Sequence, residues 1–179
     1  MKAIQKLPRT VGTHNGTFHV DEVTACALLI IYDLVDQAGV HRTRDPDLLA
    51  RCEFVCDVGG LYQPDQHLFD HHQADYQGEL SSAGMILKWL EESKTVDPGE
   101  AAYFRNNLVD GVDAHDNGRA LLVKGVSTFS NIISQFAPVS YEASEAEQNK
   151  AFEEALRFTI GMLKRMRQRY IYSRSCRSL

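Results

Sequence analysis

Short apolar runs that stop on histidines and aspartates set the strongest limit on what this chain can fold into. Val11–His14, Val40–Arg44 and Glu53–Val58 are brief and β-prone, and helical signals separate them. That alternation predicts βαβ units and a mainly parallel sheet. The first run ends in the turn His14-Asn15-Gly16-Thr17 and leads into Val23–Val35, apolar on every face and therefore a core helix. Asp45-Pro46 supplies an N-cap and a first-turn proline for a short helix through Ala50. Ser81 or Ser82 caps a helix with Met85, Ile86, Trp89 and Leu90 on one face, and Asp97-Pro98 opens another through Tyr103, Phe104 and Leu108. From Glu145 to Tyr172, Phe152, Leu156, Thr159, Leu163, Met166 and Tyr170 recur at three- and four-residue spacing, the pattern of a long amphipathic helix. The expected fold class is α/β, a mainly parallel sheet flanked by helices with a long C-terminal helix.

A length of 179 residues corresponds to one domain on a prior of ~150 residues each. At 44% hydrophobic and 24% charged the chain is neither disordered nor fibrous. The N-terminus lacks the apolar core of a secretory signal. Val23–Val35 is broken by Thr24, Tyr32 and Asp33 and falls short of the ~20 residues that span a bilayer. No membrane partner and a cytoplasmic location are therefore expected. Cys26, Cys52, Cys56 and Cys176 read as reduced thiols, since a chain this long builds its own core. The net charge of −5 hides an asymmetry. Residues 1–156 hold 12 Lys+Arg against all 24 Asp+Glu, whereas residues 157–179 hold 7 Lys+Arg and no acid. Contact with a polyanion is to be sought at that basic end or at bound metal; the alternative is a solvated helix face.

In an open α/β sheet, loops at the carboxyl ends of the strands converge on one crevice. The loop after the first strand carries His14, His19, Asp21 and Glu22; the third strand ends at Asp57; Leu68-Phe69 leads into Asp70-His71-His72; VDGVDAHDNGR offers Asp110, Asp113, His115 and Asp116. So many carboxylates in one cleft repel each other unless cations neutralise them. Mixed imidazole and carboxylate donors suit Mn²⁺, Fe²⁺, Co²⁺ or Zn²⁺, with Mg²⁺ also compatible. A carboxylate bridging two ions ~3.5–4 Å apart makes a hydrolytic centre acting on phosphorus, and Asp57, central on its strand, is the natural bridge. His41 and His67 read as surface or core histidines, and Asp110 as solvated.

The blocks GTHNGTFHVDE, RTRDPD, VCDVGG, FDHHQ, SSAG and VDAHDNG occur in this order. Together they resemble the melanocyte-proliferating-gene (Myg) family of the DHH phosphoesterase superfamily, over roughly residues 9–172. The resemblance implies a first metal on His14, His19 and Asp57, and a second on Asp21, Asp57, His71 and an aspartate of VDAHDNG, with Asp113 preferred and Asp116 next. His19 stands where the superfamily usually has aspartate. His72 resembles the histidine that faces the substrate phosphate, and Asp70 would orient an imidazole. Arg42, Arg44 and Arg119 are candidate phosphate contacts or ion-pair partners of the acids. Two divalent ions are implied, Mn²⁺ first, with Mg²⁺, Co²⁺ or Zn²⁺ as alternatives.

The implied activity is phosphodiester hydrolysis, 3′–5′ exonuclease-like on RNA or acting on short oligonucleotides. Superfamily enzymes close the cleft with a second, substrate-binding domain, and the sequence ends at SRSCRSL where that domain would begin. A homo-oligomer or a partner chain supplying that part is the corresponding expectation. A catalytically inactive metal-binding remnant is the alternative of a different class. A structural zinc module is a further one, because Cys52-x3-Cys56-x10-His67-x3-His71 has Cys2His2 spacing. Against it, Cys56 and Asp57 are neighbours on an extended strand and point to opposite faces.

Overall fold

The sheet is built outward from β1 (Leu7–Thr13), whose Val11 is fully buried. The structure is a computed structural model, describing residues 5–74, 76–121, 123–140 and 142–176. β2 (Val40–Arg42) and β3 (Cys52–Cys56) pair with β1 on either side, both parallel to it. β5 (Leu68–Phe69) adds parallel to β3, and β4 (Tyr62–Gln63) closes that edge antiparallel, giving the order β2-β1-β3-β5-β4. Chain order therefore reverses direction across β1, which opens a crevice at the carboxyl ends of β1 and β3.

Period-2 alternation splits β3 between two cores. Phe54 and Cys56 join the larger core, while Val55 packs with Leu49 of α2 (Pro46–Arg51) on the other face; Cys52 joins this second cluster out of alternation, at the strand start where the β1–β3 register shifts. The larger core lies beneath α1 (Val20–Ile31), α3 (Ser82–Glu92) and α7 (Glu145–Cys176). α1 and α7 run side by side in the same direction. Near their starts the rings of Phe18 and Phe152 meet edge-on at 5.7 Å; near the far end of α1 the Arg167 guanidinium lies 4.9 Å from the Tyr32 ring.

Several boundaries differ from the sequence reading. β1 starts at Leu7 rather than Val11. α1 starts at Val20, three residues before the expected Val23, because the Glu22 carboxylate accepts from the His19 backbone N–H (2.9 and 3.1 Å) and closes its first turn. α4 (Pro98–Phe104) does not stop near Leu108; it continues through a π turn at Arg105–Val109 into α5 (Asp110–Asp116), so VDAHD is helical. The strand β4 and α6 (Phe129–Ser134) were not anticipated: two residues are too few for a periodic signal, and FSNIIS shows little more than one turn. Among the described residues no helix is long and apolar enough to cross a membrane.

At the pole where α1 ends, buried Glu100 accepts hydrogen bonds from the Tyr32 hydroxyl (2.9 Å) and from Arg167 Nε (2.7 Å). Arg167→Ala removes the cationic partner of that carboxylate among the described residues. The expected cost is about 1–3 kcal/mol, read as a lower midpoint in urea unfolding with divalent-metal binding unchanged.

Candidate metal centre

Three strands deliver their next residues to one edge of the sheet. His14 follows β1, Asp57 follows β3, and Asp70-His71-His72 follow β5. α1 opens at the same edge, so its first turn brings Asp21 and Glu22, and α5 ends there on Asp116. The result is a cleft of about 950 Å³ whose lining includes His14, His19, Asp57, His71, His72 and Asp116.

Asp57 is the shared member. Its Oδ2 lies 3.3 Å from His14 Nε2, and its Oδ1 lies 3.5 Å from His71 Nε2 and 3.3 Å from His72 Nδ1. His14 Nε2 also meets Glu22 Oε1 at 3.1 Å, and His71 Nε2 meets Asp116 Oδ2 at 3.0 Å and Asp21 Oδ2 at 3.7 Å. Ligand atoms gather within 4.8 Å of one another in three groups: His14, His19 and Glu22; Asp57, His71 and His72; Asp21, His71 and Asp116. Asp57 adopts φ 57°, a left-handed conformation that aspartate tolerates better than most residues and that clusters at functional sites.

The charges here are interdependent. Burial pulls the His14 imidazole down, but hydrogen bonds to Asp57 and Glu22 outweigh it and lift the group to about 10. Burial likewise opposes His71, yet Asp116 and Asp57 raise it to about 10. Asp57 is raised by burial but held down at about 2 by His14 and His71. Asp21 is pushed well above the ordinary carboxylate range by burial and by the charges of Asp57 and Asp116. Protons on the imidazoles thus do the neutralising that divalent cations do in a loaded centre. The donors fit such an ion: Asp57 Oδ1 and His71 Nε2 are shut off from solvent without an aligned hydrogen-bond partner among the described residues.

The N-terminus of α3 backs the cleft. Asp21 accepts from Ser81 Oγ (2.6 Å), Ser82 N–H (3.0 Å) and Ala83 N–H (2.6 Å); Asp113 accepts from Ser81 N–H (3.0 Å) and lies 2.6 Å from Ser81 Oγ. One hydroxyl proton cannot serve both oxygens. A carboxyl proton must complete the pair, and burial raises both Asp21 and Asp113 accordingly. A methyl group on Gly84 would collide with the Asp113 carboxylate, so the SSAG block is a cradle for two carboxylates.

The sequence-derived residues separate into those the fold brings together and those it does not. His14, His19, Asp21, Asp57, His71 and Asp116 converge. Asp113, preferred over Asp116 as the last ligand, instead turns to Ser81; Asp116 lies one turn further along the same side of the helix, and that extra turn carries its carboxylate to the cleft. Asp70 is buried and accepts from Gly60 N–H (2.6 Å), His72 N–H (3.0 Å) and His72 Nδ1 (2.8 Å), so it orients an imidazole. Arg44 lines the cleft. Arg42 does not: it bonds Asn149 Oδ1 and the Gly16 carbonyl and lies 4.6 Å from the Phe152 ring centre. Arg119 turns to Glu79, whose carbonyl it bonds at 2.8 Å.

Asp110 is exposed, and His67 stacks on Phe54 at 4.3 Å. The zinc-module set is dispersed, with Cys56 Sγ 3.9 Å from Cys26 Sγ and Cys52 Sγ on the Leu48 carbonyl; no group of metal donors among the described residues includes a cysteine. Glu22, counted in the sequence among the acids of the cleft, was assigned to neither ligand set, yet its carboxylate groups with His14 and His19. Its place three residues after His19, the N3 position of a capping box, was the available signal.

Two substitutions separate site from scaffold. Asp116→Asn is expected to weaken divalent-metal binding at least tenfold in calorimetry with little change in Tm. Asp113→Ala is expected to lower Tm by several degrees, since a lost buried acceptor costs about 1–3 kcal/mol.

The family described as "Uncharacterised protein family (UPF0160)", MYG1_exonuc, matches residues 10–176. The MYG1 protein of Chlamydia pneumoniae is 49% identical over 174 residues, covering 97% of this chain and 59% of its own length. The MYG1 exonuclease of Rattus norvegicus is 35% identical over 180 residues (83% and 47%), and a Schizosaccharomyces pombe MYG1 protein 32% over 174 (81% and 53%). The chain thus spans about half to three-fifths of the length of these relatives. No solved structure matches. With a family match across nearly all its residues, the chain belongs to the MYG1 (UPF0160) family.

Proposed function

We propose that this chain carries the metal-binding part of a divalent-metal-dependent phosphoesterase of the DHH type. It cleaves phosphodiester bonds of RNA or short oligonucleotides, exonuclease-like. The observation that carries the reading is Asp57, whose two carboxylate oxygens face separate imidazole-carboxylate groups at the mouth of one cleft. The exonuclease names of mammalian relatives support the reaction class.

His14, His19 and Asp57, with Glu22 behind them, would hold one ion, and Asp21, Asp57, His71 and Asp116 the other. Mn²⁺ suits this mixture of nitrogen and oxygen donors, with Mg²⁺, Co²⁺ and Zn²⁺ as alternatives. Bound there, divalent ions supply Lewis acidity, lowering the pKa of water and offsetting phosphate charge. The chain's own residues do the rest. His72 is 63% exposed, and Asp70 fixes its Nδ1 side, leaving Nε2 free to present a proton to the departing oxygen. Gly60 N–H and the His72 backbone N–H hold Asp70 in turn, so the imidazole is positioned before substrate arrives. Arg44, exposed on the cleft wall, is placed to meet a phosphate beyond the scissile one.

The test is turnover by the purified chain with Mn²⁺ on end-labelled RNA, a dinucleotide, pyrophosphate and a generic phosphodiester. Hydrolysis of the nucleic-acid substrates is expected, and Asp57→Asn should abolish it together with metal binding. His72→Ala should retain metal while kcat falls roughly 10²–10⁴-fold. A fully active Asp57→Asn protein would overturn the reading; metal binding without hydrolysis of any substrate would leave a metal-binding module.

A further inference from the structure

We propose that the outward face of α7 between Arg157 and Tyr172 is a docking track for single-stranded nucleic acid, distinct from the cleft. The proposal deepens the phosphoesterase reading, because a strand held on this face extends toward a cleft that takes its end.

The helix repeat places Arg157, Phe158, Lys164, Arg165, Arg169 and Tyr172 on one side of α7. All six are exposed. Arg157, Lys164, Arg165 and Arg169 make no hydrogen bond or ion pair among the described residues. Arg167 differs, lying on another side and committed to Glu100. From residue 157 to the end of the chain no acid dilutes these cations. Two exposed rings interleave with them: Phe158 is 43% exposed and braced by Phe136 at 5.4 Å, and Tyr172 is 71% exposed. Cations for phosphates and rings for bases are the two components of a sequence-tolerant single-strand site. The track is ~22 Å long at 1.5 Å per residue.

Its position answers an electrostatic difficulty. The cleft concentrates Asp21, Glu22, Asp57, Asp70 and Asp116, which repel a polyanion beyond whatever metal neutralises. Asn15, on the cleft wall, reaches Glu145 at the start of α7 (3.4 Å), so the helix starts beside the cleft and carries its cations away from it. Arg157 stands ~18 Å along the axis from Glu145. Exposed Glu153 and Glu154 separate the two regions. A strand must therefore span that gap before both sites engage, and affinity is expected to depend on its length. An anionic membrane surface fits less well, because the apolar face of α7, with Phe152, Leu156 and Leu163, is already buried against the core.

Fluorescence anisotropy of a labelled 20-nucleotide oligouridylate with the full chain in chelator, where no turnover intervenes, tests the proposal. Arg165→Ala/Arg169→Ala is expected to reduce the salt slope of log affinity by about 1.4, two phosphates at ~0.7 each. Tyr172→Ala is expected to weaken binding about five- to hundredfold. Tm should not move, and dinucleotide hydrolysis in Mn²⁺ should be unchanged while KM for the 20-mer rises. Unchanged oligonucleotide affinity and salt slope in both variants would overturn the proposal. So would variants that keep oligonucleotide binding but lose binding to phosphatidylserine vesicles. Hydrolysis by Asp57→Asn overturns only the phosphoesterase reading, because binding in chelator does not depend on it.

Discussion

Mutual repulsion of buried carboxylates governs this structure. Asp21, Glu22 and Asp57 are nearly or fully excluded from water, and the charges of Asp57 and Asp116 raise the cost of ionising Asp21. Such a cluster persists only because every acid has a dedicated counterpart: His14 for Glu22 and Asp57, His71 for Asp116 and Asp57, the first N–H groups of α3 for Asp21 and Asp113. Each counterpart comes from a different segment, so the fold must be complete before the acids are balanced. Core and site are for this reason one problem: Cys56 sits in the core and the next residue, Asp57, sits in the cleft.

Much of this was legible in the sequence because the sheet converts linear order into proximity. Once Val11, Phe54 and Phe69 are read as strand residues, the residues that follow are bound to meet at one edge, and His14, Asp57 and His71 do. What stayed hidden depended on where along a helix a residue falls. Asp113 and Asp116 share a face one turn apart, and only the unbroken run from α4 through the π turn into α5 sets which turn reaches the cleft and which reaches Ser81. Arg42 misled for a related reason. Residues two apart share a face only while the strand continues; β2 ends at Arg42, so Arg44, already off the strand, reaches the cleft wall, while Arg42 lies between the Gly16 loop and α7.

The SSAG block shows a second limit of linear reading. As letters it is a helix cap with small residues. In space Ser81 touches two aspartates 92 positions apart in the chain, and Gly84 leaves the volume that Asp113 occupies. The need for a bare α-carbon there comes from a carboxylate 29 positions away. No periodicity encodes such a requirement.

Helix polarity ties the cleft to the opposite pole. α1 and α3 both present N-termini to the carboxylates, with Asp21 and Glu22 in the first turn of one and Asp21 and Asp113 against the other, so partial positive charge is aimed where the acids crowd. α7 begins at the same edge with Glu145 and Glu147 in its first turn and finishes among arginines, matching its own dipole at both ends. The charge asymmetry of the sequence is thus laid out along the axes of parallel helices. A phosphate chain approaching the molecule meets attraction along α7 and, without bound cations, repulsion at the cleft. On the proposed reading, binding and chemistry answer to different charges: the exposed cations of α7 are open to screening by salt, while the buried acids Asp21, Glu22 and Asp57 are screened much less.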